Sequence, residues 1–154
     1  MSSVYRSEVD VVVVLHRTDG RVLLLRRAAS EYRGQLTLVG GRLERDEWYD
    51  DGARREVREE VGVHIDPGDL ELCCAAHLQI EDLERRLVFL FTTQRWSGDP
   101  HNAEPDRHTE LVWADPGEPP ADCHPVSTAL LEHFVAGSLR ANITVPASLC
   151  GGAG

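Results

Sequence analysis

The most constraining feature of this sequence is the segment of residues 41–63, GRLERDEWYDDGARREVREEVGV. It places Glu56, Glu59 and Glu60 within about two turns of a helix. Like charges three or four positions apart on a helix repel by roughly a few tenths of a kcal/mol per pair, so something positive must compensate these carboxylates. The segment therefore predicts a helix that presents one anionic face to a cation.

Helical spacing also predicts how this anionic face is supported. Ala53, Val57 and Val61 form an apolar stripe beside the glutamates, which would hold the helix on a core while the carboxylates face a cleft. Oxygen ligands of this kind suit Mg²⁺ or Mn²⁺, which bind a few carboxylates and bridge to substrate phosphates. The alternative is a solvated helix whose own arginines neutralise the glutamates.

The spacing across residues 41–63 resembles the signature of the Nudix hydrolase family at each of its fixed positions. These positions are Gly41, Glu47, Arg55, Glu56, Val57, Glu59, Glu60, Gly62 and Val63. The resemblance implies an α/β fold, the Nudix-type α/β/α sandwich with a mixed sheet, in which this segment forms a loop-helix-loop motif. It also implies a metal-dependent hydrolase that cleaves a phosphoanhydride bond of a nucleoside diphosphate linked to another moiety.

The same resemblance assigns a metal centre. Glu56, Glu59 and Glu60 are the implied ligands of Mg²⁺ or Mn²⁺. The carbonyl oxygen of Gly40 is a further candidate ligand, and Glu56 or Glu59 also orients or deprotonates the attacking water.

An acidic residue outside the segment is expected to complete this centre. Glu104 is preferred because the proline that follows it, Pro105, can hold its loop rigid. Asp106 and Glu110 are the alternatives, and all three are equally well explained as surface acids.

Basic residues supply the other predicted contacts. Arg55 and Glu47 are assigned to the catalytic set. Arg55 is expected to pair with Glu47 and so hold the loop on the helix, rather than to contact phosphate. Arg21, Arg26 and Arg27 are the candidate substrate-binding residues, with a solvated strand edge as the equal alternative. Four histidines are each expected to be surface or core residues rather than bases: His77, His101, His108 and His124.

Composition narrows the class of partner and the compartment. The net charge of −10 argues against general binding to nucleic acid or anionic membranes, so an anionic small-molecule nucleotide would need a metal ion and local arginines. A chain of 154 residues fits one domain over residues 1–154, with a frayed tail at 148–154. No apolar run approaches a membrane span and residues 1–10 lack a signal-peptide pattern, so a cytoplasmic location is expected. A homodimer is left open.

Hydrophobic patterning predicts six strands and two helices. The strands are residues 11–15, 21–27, 36–38, 70–80, 86–95 and 111–114, the first two forming a hairpin at Asp19-Gly20. The helices are residues 47–61, with Asp46 as N-cap and Gly62 as C-cap, and residues 125–135.

The substrate is the least constrained feature. Within the family, a proline shortly after the signature marks ADP-ribose enzymes, and a tyrosine slightly further on marks dinucleoside polyphosphate enzymes. Residues 75–82 contain neither. A nucleoside triphosphate, including modified ones, cleaved to the monophosphate and pyrophosphate is therefore the leading expectation. The alternatives are an ADP-ribose or nucleotide-sugar pyrophosphatase and a non-catalytic module that senses a nucleotide.

Overall fold

The protein is built on a mixed sheet with a helix on each face. The computed structural model describes residues 3–28 and 32–150. Its elements are β1 (Val9–Leu15), β2 (Val22–Arg27), β3 (Leu36–Arg42), α1 (Tyr49–Val61), β4 (Glu71–Ile80), β5 (Arg86–Thr93), β6 (His108–Ala114), α2 (Pro125–Ala136) and β7 (Arg140–Val145). The strand order β6-β2-β3-β1-β5-β4-β7 contains parallel and antiparallel pairs, which confirms the predicted α/β sandwich with a mixed sheet.

Helix α1 covers one face of the sheet through the predicted apolar stripe. Ala53, Val57 and Val61 are fully buried in a core with β1 and β3 residues, and α2 packs in a separate core on the other face. Gly62 ends α1 in the left-handed region, at φ 71°, as predicted for a C-cap. The predicted N-cap, Asp46, is wrong, because the helix begins at Tyr49 and the preceding residues form a turn.

The order of the strands differs from the predicted hairpin. β1 lies between β3 and β5, whereas β2 pairs with β3 and β6. Within the described residues, β1 and β2 are linked by an isolated bridge between His16 and Val22. The apolar run of β1 suits this central position. The turn at Asp19-Gly20 connects β1 to β2 in sequence, but it does not reveal that β3 lies between these two strands in the sheet.

Three strands are longer than predicted and one was not predicted. β1 begins two residues earlier than expected. β3 continues to Arg42 through Gly40, where an added Cβ would overlap the backbone of β1, so glycine permits this close approach. β6 begins at His108 rather than at Leu111. The polar strand β7 pairs in parallel with β4 at the sheet edge, and its exposed, alternating side chains lack a strong apolar signal.

A frayed tail was predicted at residues 148–154, but its described part, residues 148–150, is structured. Ala147–Leu149 forms a short 3-10 helix and Cys150 is buried, while residues 151–154 lie outside the described part. The four cysteines are free thiols. Among residues 3–28 and 32–150, no helix is long and apolar enough to cross a membrane.

Candidate active site

Three carboxylates project from α1 toward the end of β3. Glu56 and Glu60 are buried, whereas the side chain of Glu59 is 47% exposed. The buried pair lies next to the two glycines of β3, since the Gly40 N–H faces Oε1 of Glu60 at 3.4 Å. The structure thus brings together the glutamates and the backbone of Gly40 that the sequence singles out.

Arg55 connects these carboxylates to the loop before the helix. Its guanidinium donates to both carboxylate oxygens of Glu47, at 2.7 and 2.9 Å, so the pair expected from the sequence is present. Its Nη1 also donates to Glu56 at 2.9 Å and to Glu59 at 3.2 Å. These hydrogen bonds lower the pKa of Glu47 and raise that of Arg55, which stays charged. One guanidinium therefore holds two of the site glutamates in place.

Gly41 provides the space for Glu56. A Cβ built on Gly41 would overlap all three terminal atoms of the Glu56 carboxylate, whereas no backbone atom of another element obstructs it as closely. A residue with any side chain at position 41 would push this carboxylate away from β3. The glycine of the signature is therefore required by the position of Glu56 rather than by an unusual backbone angle.

Glu60 is the most strongly perturbed acid of the site. Its pKa is raised well above the ordinary value, first by burial, then by the negative charge of Glu56 and by the hydrogen bond between the two carboxyls. Its Oε2 atom has no hydrogen-bond partner in the described part of the chain. Nε2 of His108 is 4.0 Å from that oxygen, but burial lowers the pKa of His108 to about 4, so the imidazole is neutral near pH 7. The positive charge of Arg27 opposes the rise in the pKa of Glu60, but no arginine in the described part of the chain forms an ion pair with this carboxyl group.

The loop after β5 brings Glu104 to this group. Ala103 N–H donates to the backbone oxygen of Glu60 at 3.1 Å, and the negative charge of Glu104 contributes to the raised pKa of Glu60. Asn102 also fastens the loop, because its side chain donates to the backbone oxygen of His108 at 2.6 Å. By contrast, Glu110 on β6 binds Arg26, and Asp106 is an exposed loop residue. Of the three alternatives, Glu104 is the one whose charge reaches the buried pair.

The donor set fits a hard divalent cation. Carboxylate oxygens and a carbonyl are the ligands such ions prefer, and the unpartnered Oε2 of Glu60 is an oxygen for which the described residues offer no donor. No three His, Cys, Asp or Glu side chains in residues 3–28 and 32–150 already converge on one point, because Arg55 engages Glu56 and Glu59. The carboxylates are close neighbours that an ion would draw together.

A cleft of about 320 Å³ opens beside the glycines of β3, on the face of the sheet that α2 covers. Its apolar walls include Leu38, Leu78, Ile80, Val126 and Leu130. Its polar lining includes Asp10, Arg27, Thr37, Arg86 and His124. A mainly apolar cavity with a few polar groups, next to an acidic cluster, is typical of a small-molecule site.

The three candidate substrate-binding arginines separate in the structure. Arg27 lines the cleft, and its Nη1 is 3.4 Å from Nε2 of His108. Arg26 instead forms ion pairs with Glu110 and Asp122, each at 2.6 Å, and Arg21 is exposed at the turn before β2. The pairing of β2 with β6 shifts in register between Arg26 and Arg27, and this irregularity gives their side chains different surroundings.

At one end of the cleft, the Asp10 carboxylate accepts a hydrogen bond from Arg86 at 2.8 Å. Burial raises the pKa of Asp10 despite this neighbouring charge. Asp10, Arg86 and Thr37 were not predicted as cleft residues, because nothing in the local sequence marks a strand residue that lines a cleft. His124 was expected to be a surface or core residue, although its position directly before Pro125 is typical of a helix N-cap.

A sequence model of the NUDIX domain matches residues 6–134. The chain belongs to the Nudix family. A CTP pyrophosphohydrolase of Escherichia coli is 32% identical over 134 residues, which are 83% of this chain and 92% of that protein. Both matches are consistent with the complete signature on α1 and the loops around it. This protein is accordingly a Nudix hydrolase.

Solved Nudix structures share the fold. A MutT Nudix hydrolase from Burkholderia pseudomallei superposes with a TM-score of 0.73 at 27% identity, covering 83% of this chain and 98% of its own. The E. coli ORF135 protein superposes with a TM-score of 0.69 at 25% identity, and the match covers 85% of this chain and 90% of that protein. Nudix hydrolases generally use divalent metal ions, which agrees with the donor set described above.

Proposed function

We propose that this Nudix hydrolase uses Mg²⁺ or Mn²⁺ to cleave a nucleoside triphosphate to the monophosphate and pyrophosphate. The observation that carries the proposal is the buried Glu56–Glu60 pair, in which the pKa of Glu60 is raised and its Oε2 atom is unpartnered within the described residues. The pair lies against Gly40 and Gly41, which line the cleft. The name of the E. coli relative, a CTP pyrophosphohydrolase, supports the same substrate class.

The residues divide into metal-holding and substrate-holding groups. Glu56, Glu59, Glu60, Glu104 and the carbonyl of Gly40 are the proposed ligands, chosen for their proximity and oxygen chemistry. When bound, the divalent ion neutralises phosphate charge and polarises the phosphorus centre. Cationic Arg27 lies at the cleft beside the acids, where it would bind a phosphate oxygen of the substrate.

The proton of the attacking water needs an acceptor with access to solvent. Glu59 suits this role better than Glu56, since its side chain is 47% exposed and Glu56 is buried against Gly41 and Glu60. Arg55 orients Glu59 through its 3.2 Å hydrogen bond. Glu47 in turn orients Arg55, so its effect on the reaction is indirect.

The test is a panel of nucleoside triphosphates, ADP-ribose and nucleotide sugars, incubated with Mg²⁺ or Mn²⁺ in ¹⁸O-labelled water. Products are identified by ³¹P NMR and mass spectrometry, with Glu59→Gln as the catalytic control. We expect monophosphate and pyrophosphate, with one ¹⁸O atom incorporated. Release of inorganic phosphate and a diphosphate, or turnover of ADP-ribose or nucleotide sugars alone, would contradict the proposed bond or substrate. Binding of triphosphates without turnover would indicate a sensing module.

A further inference from the structure

One ring nitrogen of His108 is close to both an arginine and a buried acid of the site. This atom, Nε2, is 3.4 Å from Nη1 of Arg27 and 4.0 Å from Oε2 of Glu60. The charge of Arg27 acts on Glu60, yet no ion pair joins these two side chains. A buried carboxylate is expected to pair with a cation at such short range, because solvent does not screen it. Their separation therefore needs a structural cause.

An irregularity in the sheet sets the position of this histidine. The pairing of β2 with β6 places Arg26 opposite Glu110, so a regular ladder would place Thr109 opposite Arg27. The register shift between the two arginines places His108 opposite Arg27 instead. The imidazole and the guanidinium thus belong to directly paired residues of the two strands.

The backbone around His108 fixes the ring at this position. Its N–H donates to the Glu104 carbonyl at 3.0 Å, and its carbonyl accepts from the Asn102 side chain at 2.6 Å. The Ala28 N–H donates to the Arg107 carbonyl at 2.8 Å, which continues the pairing of the two strands beyond the histidine. The residue is only 1% exposed. The ring is therefore held at the junction of β2, β6 and the loop that carries Glu104.

The contact with Arg27 determines which ring nitrogen of His108 carries the proton. A guanidinium only donates hydrogen bonds, so Nε2 must be the acceptor and must be unprotonated. The proton is then on Nδ1, which has no hydrogen-bond partner in the described part of the chain. A proton on Nε2 would instead face the N–H groups of Arg27, and Glu60 is too far away to accept it. The imidazole therefore binds the arginine rather than the acid.

We propose that His108 is a positioning residue whose unprotonated Nε2 holds the Arg27 guanidinium apart from the Glu60 carboxylate. This inference rests on the proposed function, because it leaves the arginine for a substrate phosphate and the carboxylate for a divalent ion. The guanidinium has further N–H groups that can donate to phosphate oxygens. Without the histidine acceptor, Arg27 would pair with Glu60 and compete with the divalent ion for the same oxygen.

The first measurement is the tautomer of His108 in the intact protein without added metal. Long-range ¹H–¹⁵N correlation spectra at pH 7 distinguish protonated from unprotonated ring nitrogens, and His108→Gln identifies the signals by their loss. We expect the proton of His108 on Nδ1. His124 is the internal control with the opposite tautomer, because its Nδ1 accepts from the Val126 N–H at 3.1 Å. A protonated Nε2 in His108 would overturn the inference.

The second measurement is a double-variant cycle, read as Mn²⁺ affinity by electron paramagnetic resonance. His108→Leu removes the acceptor but keeps a buried side chain, and Arg27→Leu removes the competing cation. We expect His108→Leu to weaken Mn²⁺ binding about tenfold when Arg27 is present and less than about twofold in the Arg27→Leu background. A purely structural role of the histidine would give the same loss in both backgrounds.

Two further variants serve as controls for this cycle. Arg26→Gln is the matched background, because Arg26 pairs with Glu110 and Asp122, and there His108→Leu should still weaken Mn²⁺ binding about tenfold. His108→Gln keeps a side-chain oxygen as acceptor and should bind Mn²⁺ within about threefold of the wild type. Circular dichroism checks that each variant is folded, and the tautomer of His108 decides the inference if His108→Leu is not.

Three results of the cycle would overturn this inference: an equal loss from His108→Leu with and without Arg27, no loss in either background, or a loss in His108→Gln as large as in His108→Leu. These results are separable from failure of the proposed reaction, since neither measurement needs turnover. A protein that shows the coupling yet cleaves no triphosphate keeps this role of His108 and loses the proposed function. A protein that cleaves triphosphates without the coupling keeps the function and loses the role of His108.

Discussion

Arg55 donates two hydrogen bonds to the Glu47 carboxylate, from Nε at 2.9 Å and from Nη2 at 2.7 Å. Both side chains are largely buried, at 14% and 16% exposure, so the pair is shielded from solvent more than a surface ion pair. It joins the loop before α1 to the helix that carries the site glutamates. The position of Glu59, which binds the same guanidinium, therefore depends on Glu47.

The first prediction concerns this pair. Glu47→Gln removes the charge that holds Arg55, so the free energy of unfolding should fall by about 1–3 kcal/mol and kcat should fall more than KM changes. Chemical denaturation and steady-state kinetics measure the two effects. Asp51→Asn is the control, because it breaks an ion pair with Arg54 on the same helix in which the Asp51 side chain is 47% exposed, and it should cost less than about 1 kcal/mol. Equal, small effects in both variants would show that the buried pair has no special role.

The second prediction concerns the space beside β3. Gly41→Ala should leave the protein folded but displace the Glu56 carboxylate, because the atoms its methyl group meets are the end of a flexible side chain. We expect weaker Mn²⁺ binding and at least about a tenfold loss of kcat. Gly68→Ala is the control, since a Cβ there meets nothing within 4 Å. A Gly41→Ala protein with wild-type metal affinity would contradict the packing argument.

The third prediction asks whether Glu104, before β6, or Glu110, within β6, is the acid that affects metal activation. Glu104→Ala should raise the Mg²⁺ concentration needed for half-maximal activity and barely change stability, because it lies in a polar loop. Glu110→Ala should leave metal activation unchanged and destabilise the protein by less than about 1 kcal/mol, since it removes an exposed partner of Arg26. Magnesium titrations of activity decide between them. A metal defect in Glu110→Ala alone would transfer the ligand role to β6.

The fourth prediction concerns stability at acid pH. The folded-state pKa of His124 is about 4, below the ordinary value of 6.5, so protonation favours the unfolded chain. The stabilisation is complete above about pH 6.5 and is lost as pH falls toward 4, by at most about 3 kcal/mol. His124→Asn should lose less stability over this window than the wild type. Denaturation curves at pH 7, 5.5 and 4.5 measure the difference, and parallel losses in both proteins would contradict it.

Helix α1 and the arrangement of its side chains were predictable from sequence because their signals are local. The spacing of Ala53, Val57 and Val61 predicted the buried face of α1, and the spacing of the glutamates predicted the anionic face beside it. The pairing of Arg55 with Glu47 was also predictable, since both lie in one continuous motif.

Features that depend on distant contacts were not predictable. Arg26 and Arg27 look equivalent in sequence, and only the sheet shows that one meets Glu110 and Asp122 while the other lines the cleft. His124 reaches the cleft because its backbone pairs with Leu36 at the start of β3, and this contact between distant segments is not visible in the local sequence. The lining of the cleft is therefore the part of the site that required the fold.

The most direct test of metal-dependent hydrolysis is a Mn²⁺ titration followed by electron paramagnetic resonance, with CTP and GTP turnover measured in the same samples. Glu60→Gln is the variant, because it retains the shape of the buried side chain and removes its charge. We predict that turnover follows Mn²⁺ occupancy in the wild type, disappears in excess EDTA, and falls together with Mn²⁺ affinity in Glu60→Gln. Full turnover in excess EDTA, or wild-type binding and turnover in Glu60→Gln, would contradict a metal centre built on the carboxylates of α1.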